Sequence, residues 1–327
     1  MILNMDTVKS LARGVVFFEK GPFGGWIPRR FTEAQLKTYA GHESFSVRAG
    51  ASSGCVLELI TDAQAFSLKF RCFQASSRDF YGFDLMLNGQ LFAHLEDNVL
   101  EKPEGEWHVT LPEGEKELKI HFPNLAGVEI FEIILAGANT VKPTGSKRRI
   151  LFMGDSITQG YTARFPSGTY AARVAQALNA EYLNQAIGGE TFHPEILDEN
   201  FAWNPELIVL AYGTNDWSGK TKEKFTSDCA EFLRRLTDIF PGTPVAMLTP
   251  IWRGDALTKR DDFSFEEAAV IMEELAFEYP QIKLIRGDFL VPQMPELMED
   301  VRLHPNDLGF VYYAERLLER LRALSLA

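Results

Sequence analysis

Along the first 140 residues, apolar and polar positions alternate in short runs. "VVFFEK" (15–20), "SFSVRA" (44–49), "CVLELI" (55–60), "FSLKFRCF" (66–73), "FDLMLNGQLFAHL" (83–95), "WHVTLPEGEKELKIHF" (107–122) and "VEIFEIIL" (128–135) are rich in β-branched and aromatic residues. That is the composition and period of half-buried strands. Asn88-Gly89 separates two such runs and predicts a two-residue hairpin, since both residues tolerate positive φ. "PEGE" (112–115) is a second turn. Many short strands without a helical period predict an antiparallel β-sandwich, jelly-roll-like in its connections.

The pattern changes after the polar stretch "GANTVKPTGSKRR" (137–149), which contains Pro143 and Gly145. From there, compact apolar runs at Ile150–Gly154, Tyr182–Ala186, Leu207–Tyr212, Val245–Leu248 and Ile282–Ile285 alternate with segments of helical period. Phe225, Cys229, Phe232, Leu233, Leu236 and Ile239 fall on one helical face. "FEEAAVIMEELAFEY" (265–279) and "LGFVYYAERLLERLRAL" (308–324) are further helices. Five strands with intervening helices predict a parallel sheet covered on both faces, an α/β fold. The chain thus divides into a sandwich at 1–140, a linker at 141–148 and an α/β domain at 149–327.

Composition changes this picture little. A hydrophobic fraction of 46% and a charged fraction of 24% are those of a globular protein. The net charge of −12 argues against nucleic-acid and anionic-membrane partners. No apolar run approaches the roughly 20 residues of a membrane span. The N-terminus lacks a basic start, an apolar core and a small-residue cleavage site, which implies a cytoplasmic protein. Cys55, Cys72 and Cys229 lie in apolar runs without CxxC spacing and are expected to be buried free thiols. A homo-oligomer is compatible with the sequence, which does not specify one.

The chemistry gathers just past the predicted strands, where loops converge at the carboxyl edge of such sheets. "GDSITQG" follows the first strand, "NQAIGGET" the second, "AYGTNDW" the third, and "EDVRLHPNDLGF" precedes the last helix. Singly, each has a plain structural role as a helix cap, a glycine turn or an Asx turn. Together they supply what acyl transfer needs: a nucleophile, a base and oxyanion donors. Ser156 offers the hydroxyl and His304 the base. The backbone N–H groups of Ser156 and Gly189 and the amide of Asn215 offer three donors. Asp155 reads as a turn and helix-terminus residue. His193 and Trp217 adjoin these blocks, and Trp252 and Arg253 follow the fourth strand; these four are the candidates to line a substrate pocket. His42, His94, His108 and His121 lie in the β-rich half, as surface or core residues. No phosphate-binding glycine loop, dinucleotide fingerprint, G-x-S-x-G elbow or zinc motif occurs, so neither cofactor nor metal is expected.

The order GDS…G…GxND…H resembles the SGNH hydrolases, also called the GDSL esterase/lipase family, from about residue 148 to the C-terminus. The resemblance implies a flavodoxin-like three-layer α/β/α catalytic domain and assigns Ser156, Gly189, Asn215 and His304 to the four letters of the family name. It selects Gly189 over Gly188 because Glu190-Thr191 follow. "YGFDLMLNG" (81–89) resembles the Gly-x-Asp-Leu-Tyr motif of β-sandwich domains ahead of some bacterial SGNH carbohydrate esterases, with Met86 where Tyr is usual. One position departs. The family's triad carboxylate stands three residues before the histidine, where this chain has Val301. Asp300 can replace it if the loop bulges by one residue; Asp288 or a backbone carbonyl are the rivals. The resemblance implies a serine esterase acting on small O-acyl esters, acetyl above all, of a carbohydrate-like substrate. An acyltransferase and a non-catalytic carbohydrate-binding protein are the alternatives.

Overall fold

The computed structural model describes residues 1–258, 260 and 262–327. Its N-terminal half pairs two antiparallel sheets. One contains the strands Val56–Thr61, Lys116–His121, Phe80–Leu87 and Gln90–Asn98, with the short strands Ala12–Arg13 and Val141–Pro143 both on Val56–Thr61. The other runs Phe17–Lys20, Trp26–Arg29, Ala126–Ala136, Ala65–Gln74 and Glu104–Thr110. Alternate residues point inward, and Leu57, Leu59, Phe66, Leu68, Phe70, Phe83, Leu118 and Ile120 fill the space between the sheets. The hairpin at Asn88-Gly89 forms as the dipeptide requires, with φ of 49° and 80°.

The second half is a five-stranded parallel sheet in the order Ala180–Ala186, Arg148–Gly154, Leu207–Ala211, Val245–Leu248, Ile282–Ile285. Its strands are continuous apolar runs because both faces are buried. On the first strand, Ile150 and Phe152 face one core, against Tyr170, Phe310 and Leu317. Leu151 and Met153 face the other, against Phe225, Phe232 and Trp217. The order places the first strand between the second and third, so the loops after all three open at one edge.

The N-terminal half departs from the expected all-β reading in one respect. It holds three seven-residue helices, Met5–Leu11, Glu33–Tyr39 and Glu43–Ala49. The last replaces the strand expected at "SFSVRA". Tertiary packing overrides the local alternation: Phe31, Tyr39 and Ala49 are buried in the core on one face of the parallel sheet. This segment therefore acts as a cover for the α/β domain.

Two polar devices join the halves. Arg30 is buried and donates to the carbonyls of Ala51, Asn184 and Ala186 at 2.7–2.9 Å, and to that of Arg48 at 3.2 Å. Asp84, in the Gly-x-Asp-Leu stretch, is fully buried. It accepts hydrogen bonds from the Ser167 N–H (2.8 Å) and hydroxyl (2.6 Å) across the interface, and it faces His94 Nδ1 at 2.6 Å. All three cysteines are buried free thiols, and burial pushes the Cys55 thiol up to about 12. Among the described residues no helix is long and apolar enough to cross a membrane.

Candidate active site

Ser156 begins a four-residue helix, Ser156–Gln159, directly after the first parallel strand. Asp155 caps it, accepting from the Ile157 N–H at 2.9 Å, and Gly160 ends it with φ of 90°, a conformation glycine adopts without strain. A hydroxyl at the first helical position faces out of the sheet edge. Asp155 itself is buried, and burial first, then the nearby Asp216, pushes its carboxyl up to about 7 against the Ile157 hydrogen bond.

His304 reaches Ser156 from a loop 148 residues away, with Nε2 2.9 Å from Oγ. That loop is pinched at its base by the Met298–Pro305 bridge and the Glu299 N–H to His304 carbonyl bond (2.7 Å). Within it, Asp300 Oδ1 accepts from the N–H groups of Leu303 (2.7 Å), Arg302 (3.1 Å) and His304 (3.1 Å). Its Oδ2 lies 2.7 Å from His304 Nδ1. Val301 takes φ of 53°, and this left-handed residue is the one-residue bulge that brings Asp300 to the imidazole despite the longer spacing. Asp288 lies elsewhere, paired with Arg286 at 3.0 Å.

The electrostatics suit a base. Burial pushes the Asp300 carboxyl up, but the hydrogen bonds from Leu303, the imidazole, His304 and Arg302 together outweigh it and hold the group well below the usual carboxylate range. An ionised carboxylate only accepts, so Nδ1 carries the proton and Nε2 is left to accept from Ser156. Burial lowers the His304 pKa, aided by Arg302 and Arg253, and outweighs the opposing pull of Asp300. The imidazole is therefore neutral at pH 7.

The loop expected to hold the oxyanion (the oxyanion loop) follows the second strand. Gly189 has φ of 83°, and a Cβ there would lie 2.8 Å from the Arg48 guanidinium. The backbone N–H groups of Ser156 and Gly189 have no hydrogen-bond partner among the described residues. Asn215, on the helix after the third strand, donates one amide hydrogen to the Glu190 carbonyl at 2.9 Å, leaving its other hydrogen free. Gln159 fixes the loop by accepting from the Gly188 N–H (2.7 Å) while donating to the Asn124 carbonyl of the sandwich (3.2 Å).

Ser156, Gly189, Asn215 and His304 line one cavity of about 220 Å³, with Asp300 behind the histidine. The expected pocket residues do not line it. Trp217 is buried between Arg253 and Arg260, its indole N–H bonded to the Phe263 carbonyl. Arg253 is buried too, holding Thr214, Ser218 and Asp255 beneath the helix that bears Asn215. Trp252 lines a separate cavity with Arg286 and Asp288. His193 sits behind the oxyanion loop, 3.5 Å from Glu190. In their place stand Gln159, Tyr161 and Leu303, together with Arg48, Ser76 and Ser77 from the N-terminal half. Tyr161 packs its ring on His304 and meets the Ser77 hydroxyl at 2.9 Å. Nothing in the sequence marks the three N-terminal residues, because their partners lie far along the chain.

Residues 152–310 match the model of the GDSL-like lipase/acylhydrolase family. No curated protein shows a significant sequence match to the chain. Among solved structures, the chain is similar to a salicylyl-acyltransferase, SsfX3, from a tetracycline biosynthetic pathway. The two share 22% identity and a TM-score of 0.84, over 96% of this chain and 94% of that one. A family two carbohydrate esterase from Clostridium thermocellum, in complex with cellohexaose, shares 17% identity at a TM-score of 0.67, over 95% and 98%. An acetyl xylan esterase, Est2A, from Butyrivibrio proteoclasticus shares 14% identity at 0.67, over 99% and 98%. Each likeness spans the β-rich half as well as the α/β half.

Proposed function

We propose, on the premise that residues 152–310 form a GDSL-like lipase/acylhydrolase domain, that this protein is a serine esterase removing small O-acyl groups, acetyl above all, from a carbohydrate-like alcohol. The observation that carries the reading is the hydrogen-bonded relay from Ser156 Oγ through His304 to Asp300, at 2.9 and 2.7 Å, beside two unpartnered N–H groups.

His304 Nε2 takes the proton from Ser156 as Oγ bonds to the ester carbonyl carbon. The carbonyl oxygen becomes an oxyanion held by the N–H groups of Ser156 and Gly189 and the Asn215 amide; one such donor is worth about 2.7–4 kcal/mol. Collapse breaks the bond to the alcohol oxygen, which receives the proton from His304. A water then gives a proton to Nε2 as its oxygen bonds to the acyl carbon; the bond to Ser156 Oγ breaks, Oγ takes that proton back from His304, and the acid leaves. Asp300 keeps the productive tautomer and stabilises the imidazolium. The cavity of about 220 Å³ is smaller than the roughly 300–1,000 Å³ of sites for drug-sized ligands, which favours a short acyl group.

Ser156→Ala tests the reading. Hydrolysis of short acyl esters should disappear while the melting transition stays in place, and a fluorophosphonate should label wild type but not the variant. Retained turnover by the variant would falsify the assignment. The likeness to a salicylyl-acyltransferase favours a second reading, transfer to an acceptor alcohol through the same residues. Product analysis with and without acceptor alcohols separates the two.

A further inference from the structure

The catalytic cavity is electrically unlike the rest of the chain. Acidic residues outnumber basic ones by 45 to 33 overall, yet the described residues lining the cavity include Arg48 and no Asp or Glu. Arg48 comes from the helix Glu43–Ala49, whose carbonyl at Arg48 is held by Arg30. Its Nη1 donates to the Gly188 carbonyl at 2.6 Å, which sets the guanidinium against the oxyanion loop.

A guanidinium carries five N–H donors. Arg30 spends four of its donors on four carbonyls, and Arg253 bonds Asp255, Thr214 and Ser218. Arg48 makes its one bond to Gly188, and no carboxylate among the described residues pairs with it. Its remaining N–H groups are left to meet whatever occupies the cavity. The planar fork suits a carboxylate, which it meets with two parallel bonds.

We propose that Arg48 makes this site, read above as an esterase, selective for esters that carry a carboxylate beside the scissile carbonyl. The carboxylate belongs either to the acyl group or to the alcohol; the recognition chemistry is the same, and the experiment distinguishes them. The inference rests on the esterase reading for its reaction but not for its charge selection.

Two matched pairs serve as probes. For the acyl side they are p-nitrophenyl butyrate and p-nitrophenyl hemisuccinate; for the alcohol side, O-acetylated methyl glucoside and O-acetylated methyl glucuronide. In one pair, wild type should favour the anionic member in kcat/KM by roughly 10- to 100-fold, the range for a charged hydrogen bond. Arg48→Gln should bring that ratio close to one, and Arg48→Lys should keep part of it. If Arg48→Gln slows anionic and neutral esters alike, Arg48 only holds Gly188 and the proposal is overturned. Absence of any anionic preference in wild type overturns it as well.

Failure of the esterase reading shows separately, as absence of both turnover and fluorophosphonate labelling. Charge selection is then read by calorimetric titration of Ser156→Ala, and of Ser156→Ala with Arg48→Gln, using methyl hemisuccinate and methyl butyrate. Tighter binding of the anion that depends on Arg48 supports the proposal. Equal affinities, or no binding of either, refute it.

Discussion

Replacing Asp300 by Asn changes one atom and should change the chemistry of the whole relay. The carboxylate satisfies two demands at once: Oδ1 accepts from three backbone N–H groups, and Oδ2 accepts from His304 Nδ1. An amide has one acceptor oxygen. With three N–H groups converging on the Oδ1 position, the amide oxygen must settle there, which puts the NH2 group against the imidazole. Nδ1 then accepts instead of donating, and the ring's proton moves to Nε2, facing Ser156. Turning the amide over restores the tautomer but sets the NH2 group against three donors, each lost bond costing about 1–3 kcal/mol. The wrong tautomer is therefore the cheaper state.

In the serine-protease triad the equivalent change costs about 10⁴ in kcat. Asp300 keeps 37% side-chain exposure here, so water screens part of the effect. We expect a loss of roughly 10³-fold, about 4 kcal/mol at the transition state. The assay is kcat on a p-nitrophenyl acyl ester, with Asp288→Asn as control. Asp288 pairs with Arg286 beside a different cavity, and its replacement should alter kcat by less than about twofold. The pH profile adds a second reading. The base works when neutral, so wild-type activity should fall as pH drops through a His304 pKa below 6.5. Removing the Asp300 charge takes away the support for the imidazolium and should move that limb to still lower pH. If Asp300→Asn keeps more than about a tenth of wild-type kcat, the relay does not run through Asp300. A collapse confined to Asp288→Asn would transfer the role there.

Three further outcomes concern the joint between the halves. Asp84→Asn leaves the buried Ser167 donors with a weaker acceptor and breaks the contact to His94, so the urea midpoint should fall by an amount worth about 2–4 kcal/mol; an unchanged midpoint would show the interface does not depend on it. Burial lowers the His94 pKa, but the hydrogen bonds and charges of Asp84 and Glu96 outweigh it and raise the group above 6.5. Its stabilisation is therefore fully present below pH 6.5 and lost as pH rises through the raised value, and His94→Gln should flatten that part of a stability-against-pH curve. Arg30 stays charged at neutral pH although burial lowers its pKa to about 10. Arg30→Met leaves the carbonyls of Ala51, Asn184 and Ala186 without this donor and that of Arg48 with the Ala51 N–H, and should cost about 3–5 kcal/mol in denaturant titration, with kcat falling as well because Asn184 and Ala186 lead into the oxyanion loop. A variant with full stability would contradict this account of the joint.

Much of the architecture could be read from the chain because its signals are local. Ile150 to Met153 are apolar without interruption, which is what a strand buried on both faces demands, and Asn88-Gly89 specifies its turn alone. The helix Glu33–Tyr39 also carried a legible signal: Thr32 and Gln35 form a capping box, the T-x-x-Q spacing that opens a helix. The helix Glu43–Ala49 carried a misleading one. Phe45 and Val47 alternate with polar neighbours as in a strand, yet Val47 is 45% exposed while Phe45 packs on the α/β core. The bulge at Val301 could be stated as a condition but not foreseen, since a β-branched residue at positive φ is disfavoured by about 1–2 kcal/mol locally. The three N–H bonds to Asp300 offset that strain, and they exist only once the loop has folded.

The same reasoning explains why the two halves, joined between the strands Val141–Pro143 and Arg148–Gly154, are not independent machines. The strand end that leads into the oxyanion loop is gripped from the N-terminal half at Asn184 and Ala186 by Arg30 and at Gln185 by Gln35, and the loop itself at Gly188 by Arg48. A donor group stabilises an oxyanion only if it is already in place when charge develops, so whatever fixes Gly189 contributes to the rate without touching substrate. The sandwich half also supplies Ser76, Ser77 and Arg48 to the cavity wall, whereas Ser156 and His304 come from the α/β half. On the proposed esterase reading, the reacting groups come from the α/β half, while the N-terminal half both holds the loop that carries Gly189 and supplies part of the wall.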